Sequence, residues 1–307
     1  MFITLSTLLM WRLDLKNKEI EHDISRALSV QVALPLAVGP AARAAPVVKV
    51  NSVLTAPPTL APSAPVSRPE AHYPEILPDN LVSFTLIDGF AVAYGDVLLG
   101  KPTGDTAGDL PHRHHLSDAP HARLWQRPEI GYSISPELPN PKRVEAAIRF
   151  FNERTPIKFV PYQGQRDGIV FVVGSQDCLS YLGSIGGLQP IRLSMGCGPT
   201  EIMHEIMHAL GFIHEHSRTD RAQYVEVEWS NIDAKFQPQF AMAPDSLMDN
   251  LKGAPFDYHS IMLYRPRAFA LNPNRDVLKS TQGESINPSS DGLSAGDIER
   301  IKRLYSR

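Results

Sequence analysis

His204-Glu205-Ile206-Met207-His208-Ala209-Leu210-Gly211-Phe212-Ile213-His214-Glu215 is the stretch that decides how this chain is read. In a helix over 201–210, His204 and His208 stand one turn apart on the same face, and both imidazoles can point at one ion. Zinc takes neutral histidine nitrogens at about 2.0–2.1 Å, a distance this pair meets without moving the backbone. Position 214 would lie two turns further along a straight helix, out of reach. Gly211 resolves this, because glycine adopts the left-handed conformation that ends a helix cheaply. The chain can then turn back and deliver His214 to the same point. Glu205 adjoins the first ligand but projects about 100° away around the helix. A carboxylate there suits a general base that takes the proton of zinc-bound water as it attacks a carbonyl. His-Glu-x-x-His alone arises by chance in surface helices; the added Gly-x-x-His brings a third ligand and a required turn, and chance becomes a poor explanation.

Working outward, short strands precede this helix at 130–134, 157–160, 168–173 and 191–194. Val170 to Val173 is a continuous apolar run, which places that strand in the middle of a sheet. Asn140 and Pro141 read as an N-cap followed by proline at the first helical position. Val144, Ala147, Ile148 and Phe151 then follow at helical spacing up to about Arg154. Beyond Ile232 the chain is broken by prolines until Ser294 and Asp297, which resemble a capping box opening a closing helix. Ile298, Ile301, Leu304 and Tyr305 form that helix's core face. The fold class expected is α/β (α+β).

The 307 residues are 43% hydrophobic and 21% charged, which rules out global disorder. A formal charge of -3 gives no electrostatic footprint for a nucleic-acid partner. The apolar run Met1–Trp11 is short of the roughly 20 residues of a membrane span, so no transmembrane span is expected. Val30–Val38 leads into Ala42-Arg43-Ala44, a small-x-small site of the kind signal peptidase reads. Residues 1–44 are thus a signal or leader segment, and 45–78 a proline- and alanine-rich linker. In 79–120, the runs Asn80–Gly89 and Ala91–Leu99 alternate and pair locally. His112, His114, His115 and His121 lie in a polar, turn-rich stretch; a metal cluster is one reading, and a solvated, protease-accessible junction is the preferred one. Residues 121–307 form the domain that carries the histidines. Two cysteines are too few for a disulfide framework and enough for one bridge.

The pattern resembles the astacin family of zinc metalloendopeptidases, within the metzincins. The family continues the zinc motif with a glutamate, an arginine and an Asp-Arg pair, here Glu215, Arg218, Asp220 and Arg221. Ser260-Ile261-Met262-Leu263-Tyr264 resembles its methionine turn. Trp125, Thr155–Phe159, Cys178–Gly183, Gly186–Gln189, and Leu293, Ser294, Asp297 and Tyr305 resemble further family segments. The likeness therefore runs from about Trp125 to the last helix.

The resemblance implies a zincin-like domain. Its upper lobe would hold a twisted mixed sheet of about five strands and the zinc helix, above an irregular lower lobe with a C-terminal helix. It implies one Zn(2+) per chain on His204, His208 and His214, and hydrolysis of internal bonds of protein or peptide substrates with Glu205 as base. Met262 would form the floor beneath the imidazoles, and Tyr264 would ligate zinc at rest and swing out to bind the transition state. Substrate would lie along an edge strand, expected at Ile191–Ser194.

Of the family's two usual disulfides, Cys178–Cys197 would be the one kept, contributing about 3 kcal/mol if oxidised; free thiols are the alternative. Partners for the second are missing together, with Pro156 at one place and no cysteine after Cys197, as in a bacterial-type member. Family zymogens offer a propeptide aspartate to the zinc in a Phe-x-Gly-Asp-like motif. Tyr94-Gly95-Asp96 is a partial match that makes Asp96 the inhibitory candidate; a plain Gly-Asp turn between strands is the alternative. An activating protease would cut between Asp96 and Trp125, with Arg113 and Arg123 as candidate positions, and the freed N-terminus would pair with Glu215. Secreted or periplasmic localisation agrees with a disulfide. Other metzincin proteases and a non-catalytic zinc-stabilised binding domain are the rival readings. Glu215 and the Ser-x-Met-x-Tyr arrangement disfavour the first, and the presence of both Glu205 and Tyr264 disfavours the second.

Overall fold

A computed structural model describes residues 81–101, 112–115 and 122–306. The leader 1–44, the linker 45–78 and His121 lie outside the described residues. Four strands come from the segment before Ala122: β1 (Leu81–Ile87), β2 (Phe90–Ala93), β3 (Val97–Gly100) and β4 (His112–His115). After it come β5 (Glu129–Ile134), α1 (Lys142–Arg154), β6 (Lys158–Pro161), β7 (Gly168–Val173), β8 (Cys178–Tyr181), β9 (Leu188–Leu193) and α2 (Pro199–Ala209). The lower lobe holds β10 (Val225–Val227), the single-turn α3 (Asp245–Met248) and β11 (Leu278–Ser280), and α4 (Ala295–Tyr305) closes the chain.

The sheet has nine strands in the order β4-β1-β2-β3-β8-β9-β7-β5-β6. Five of them, β8 through β6, belong to the 121–307 region, as expected, and the earlier segment adds four more. β7 is central as its apolar run requires, with Ile169 and Phe171 fully buried. The substrate-strand expectation needs correction: Ile191–Leu193 lies in β9, paired to β7 on one side and β8 on the other. The edge of the five-strand sheet is β8, and β3 covers it in parallel, with Val97 opposite Ser180 and Leu98 opposite Tyr181. The expected junction at 111–121 is also partly strand, since His112–His115 pairs antiparallel with Leu81–Phe84.

One face of the sheet packs on α1 and α2. Val144, Ala147, Ile148 and Phe151 of α1 are buried there, and Phe151 meets Phe159 edge-on with ring centroids 5.8 Å apart. Asn140 is not the N-cap it was expected to be. It sits at φ +52°, a left-handed conformation that asparagine tolerates, and the helix starts at Lys142 without a side-chain cap. α2 starts on Pro199, and the Gly198 amide donates to Glu201 Oε2 at 2.9 Å. α4 keeps the expected capping box, Ser294 Oγ accepting from the Asp297 amide at 2.9 Å. Cys178 and Cys197 are bonded, tying β8 to the segment that enters α2. Among the described residues no helix is long and apolar enough to cross a membrane.

Candidate metal centre

α2 carries His204 and His208 on the face turned toward the lower lobe, and the chain leaves the helix at Gly211, φ +96°. A Cβ there would come within 2.6 Å of the Asn250 amide nitrogen, which donates to the Gly211 carbonyl at 2.9 Å. The reversal therefore needs glycine for both conformation and space. It brings His214 back under the helix, and His204 Nε2 and His214 Nε2 stand 3.1 Å apart.

Two of the three rings are fixed by their other nitrogen. His204 Nδ1 donates to the Ile261 carbonyl and His208 Nδ1 to the Phe212 carbonyl, both at 2.8 Å. Backbone carbonyls only accept, so each Nδ1 bears the proton and each Nε2 presents a lone pair. The Ile261 bond begins at Met262's own turn: Ser260 Oγ donates to Asp297 Oδ1 at 2.6 Å and the Ile261 amide to Asp297 Oδ2 at 2.9 Å. Met262 is buried in the main core with the methionines of α2. Burial pushes His208 down to about 4, so it is neutral, the form that ligates.

The fourth group at this point is Asp96. Its Oδ1 lies 3.1 Å from His208 Nε2, and its Oδ2 lies 3.3 Å from His204 Nε2 and 3.2 Å from His214 Nε2. One atom from each of the four residues falls within 4.8 Å of the others. Ligands at about 2.0–2.1 Å around a tetrahedral ion stand about 3.3–3.4 Å apart. The spacing fits zinc, and so does the donor set of lone-pair nitrogens that would otherwise face one another. His208 Nε2, buried, has no hydrogen-bond partner of its own. The set is that of one zinc site per chain.

Glu205 is buried beside this cluster, and its Oε2 has no partner. Burial, with the charges of Asp96 and Asp177, raises its carboxyl well above the ordinary value. Tyr264 does not join the ligand set here. Its hydroxyl donates to the Tyr94 carbonyl at 3.2 Å and lies 3.3 Å from Gln239 Oε1. Gly95, φ +100°, passes so close that a Cβ would meet the Tyr264 hydroxyl at 2.6 Å. Burial, then the Asp96 and Glu205 charges, raises the Tyr264 phenol, which keeps it a donor.

In the uncut chain Glu215 is held by two arginines and a backbone amide. Arg300 binds it through both guanidinium nitrogens at 2.8 and 2.9 Å, and Arg218 and the Asp257 amide add bonds at 3.1 and 2.8 Å. Trp125 is buried with its indole donating to the Ala209 carbonyl at 2.7 Å. It precedes β5 and is not itself in a strand.

Sequence reasoning does not identify Arg300, Gln239 or His216. His216 is buried against both the His214 and Tyr264 rings, with centroids 4.9 and 4.1 Å away. Arg143 is a further such residue: its Nη1 donates to the Ser194 and Cys197 carbonyls, both at 2.6 Å, and so holds the segment leading into α2. Its place in an amphipathic helix gives no signal of that.

Residues 118–306 match the family model described as astacin, a peptidase family. The chain is 36% identical over 185 residues to zinc metalloproteinase nas-13 of Caenorhabditis elegans, covering 59% of this chain and 41% of that protein. To nas-6 of the same organism it is 36% identical over 220 residues, covering 67% and 63%. Among solved structures, high choriolytic enzyme 1, a hatching enzyme zinc-protease from Oryzias latipes, is similar with a TM-score of 0.54 and 35% identity. That likeness covers 60% of this chain and 94% of the enzyme. The chain thus spans less than two thirds of the length of both of these curated relatives.

Proposed function

The chain belongs to the astacin family of zinc metalloendopeptidases, and on that premise we propose that it hydrolyses internal peptide bonds of proteins or peptides and is made as a zymogen. The observation that carries this reading is the convergence of three imidazole Nε2 atoms beside the buried Glu205 carboxyl, whose Oε2 has no partner. Zinc held there supplies a Lewis acid that polarises the scissile carbonyl and acidifies water.

The chain's own residues do the rest. His204, His208 and His214 hold the metal, and their backbone-bonded Nδ1 groups, those of His204 and His208, keep two of the rings from turning. Glu205, once Asp96 has left, takes the proton of the attacking water and passes it to the departing amine. The Tyr264 phenol, freed from the Tyr94 carbonyl, donates to the oxygen on which charge develops. Asp96 belongs to the inhibitory propeptide: while it faces the imidazoles it occupies the water's position. Met262, Gly211 and Glu215 are structural, and the Cys178–Cys197 bond braces the wall of the cleft.

Residues 121–307 are the catalytic domain and 79–120 the propeptide in this reading, preceded by the leader 1–44 and the linker 45–78. The family and the disulfide support an extracellular or periplasmic location. Substrate, in place of the propeptide, would pair along the β8 edge. The reading is tested by cutting the full chain in the 102–121 stretch and measuring zinc content and cleavage of an internally quenched peptide. One zinc per chain is expected, with activity abolished by a chelator and restored by one equivalent of zinc. A cut chain that holds zinc but cleaves no peptide of a diverse mixture would favour the zinc-stabilised binding domain.

A further inference from the structure

The pro-segment touches the catalytic domain on both faces of the sheet. On the metal side, Ala93, Tyr94 and Val97 join the main core and Asp96 meets the histidines. On the opposite side a separate apolar cluster forms: Val92 and Leu98 of the pro-segment, 2% and 0% exposed, pack with Leu179 and Tyr181 of β8, and Ile87, Phe90 and Ile185 pack against them. Beyond that cluster, the hairpin turn between β1 and β2 reaches over to β9. Asp88 and Gly89 both have positive φ, +52° and +76°, the two-residue turn that Asp-Gly favours. The turn aims the Asp88 carboxylate at β9, where Arg192 Nη2 donates to Oδ2 at 2.9 Å and the Ser175 amide donates to the same oxygen at 3.2 Å. The Arg192 guanidinium also lies 5.1 Å from the Phe90 ring centroid.

We infer that this outer face, Leu179 and Tyr181 with Arg192, is a docking site for the hairpin 84–100 that works without the metal and without the covalent connection. The cut pro-segment then stays bound as a non-covalent inhibitor, and activation takes two events: cleavage of the junction, and later loss of the hairpin. The inference rests on the zymogen reading of the same site. Its chemistry is specific: an Asp-Gly turn whose carboxylate meets a guanidinium, an aromatic ring under that cation, and two aliphatic side chains on an apolar strand face. The registers agree, since Leu98 stands opposite Tyr181, and Leu179 opposite Arg192.

The test uses the full chain with a site-specific protease sequence inserted between Thr103 and Gly104. After nicking, gel filtration and activity against a quenched peptide are followed as the sample is diluted. Expected is a fragment that co-elutes with the catalytic domain, and activity that rises on dilution. Asp96→Ala, nicked, still retains its fragment. Arg192→Ala weakens retention about tenfold, from a partly exposed ion pair and a cation–π contact together. Leu98→Ala weakens it by at least about thirtyfold, as a buried large-to-small change does. Retention lost completely in Asp96→Ala, or full activity of the unaltered chain at the moment of nicking regardless of dilution, would overturn the inference. Failure of the Asp96 switch itself shows separately, as unchanged activity of the uncut chain carrying both Asp96→Ala and Leu98→Ala.

Discussion

Asp297 and His204 are joined through a single residue. The Asp297 carboxylate accepts the Ile261 amide proton at 2.9 Å, and the Ile261 carbonyl accepts the His204 Nδ1 proton at 2.8 Å. A side chain of the last helix thereby sets the orientation of the first metal ligand. Asp297→Ala should lower zinc affinity by about tenfold to a hundredfold, the usual cost of losing a group that orients a ligand. The same change orphans the Ser260 hydroxyl and the Ile261 amide, costing about 1–3 kcal/mol for each. Chelator competition and thermal unfolding read the two effects, and unchanged zinc affinity would remove Asp297 from this role.

Asp96→Ala in the uncut chain should raise basal peptidase activity. Hydrogen bonds to charged groups contribute about 1.5–3 kcal/mol, so the rise should be about tenfold to a hundredfold unless the docked hairpin still obstructs the cleft. Combining it with Leu98→Ala removes that obstruction. An uncut double variant no more active than the unaltered chain would end the switch assignment.

Gly95→Ala acts on the same seat by another route. A Cβ at φ +100° is strained, and it would lie 2.6 Å from the Tyr264 hydroxyl. Basal activity of the uncut chain should rise, whereas the cut enzyme freed of its pro-segment should be indistinguishable from the unaltered one. Equal basal activity would show that the segment enters the cleft differently.

Cys178→Ser should cost about 3 kcal/mol of stability, since the bond to Cys197 closes the loop across β8 and β9. Denaturant unfolding with and without reductant measures it. A loss no larger than about 0.5 kcal/mol, the size of an ordinary surface change, would show that the bridge does not brace the fold.

Retention of the cut hairpin should depend on pH at the acid end. The Asp88 carboxyl is held below its ordinary value by the hydrogen bonds from Ser175 and Arg192. A carboxylate with a depressed value contributes fully above the free value near 3.9 and loses that contribution as pH falls through the bound one. Fragment dissociation should therefore be flat through neutral pH and rise below about pH 4 in the unaltered nicked chain, with this acid step missing in Asp88→Asn. An acid step of the same size in both would assign it to another group.

The local parts of this site are legible in the sequence. A histidine pair at i and i+4, the glycine that ends the helix and the Ser294–Asp297 box are each read within a few residues, because helix geometry fixes who faces whom. What is not legible depends on contacts between distant segments. Ile191–Ser194 reads as an edge only because strand order is not written in strand composition; β8 follows β7 in sequence yet lies outside β9. Arg300 meets Glu215 from 85 residues away, and Asp88 meets Arg192 from 104. Neither residue carries a local mark of its partner. Asn140 fails as a cap for a different reason: asparagine serves both caps and left-handed turns, and the chain uses the second.

The most direct measurement is on Glu205→Gln in the cut enzyme, with zinc content and kcat determined on the same sample. Bound zinc should stay at one per chain while kcat falls by at least about a hundredfold, the scale of positioned proton transfer. A variant that keeps its zinc and its full kcat would contradict Glu205 as the base, and with it the chemistry assigned to the three imidazoles.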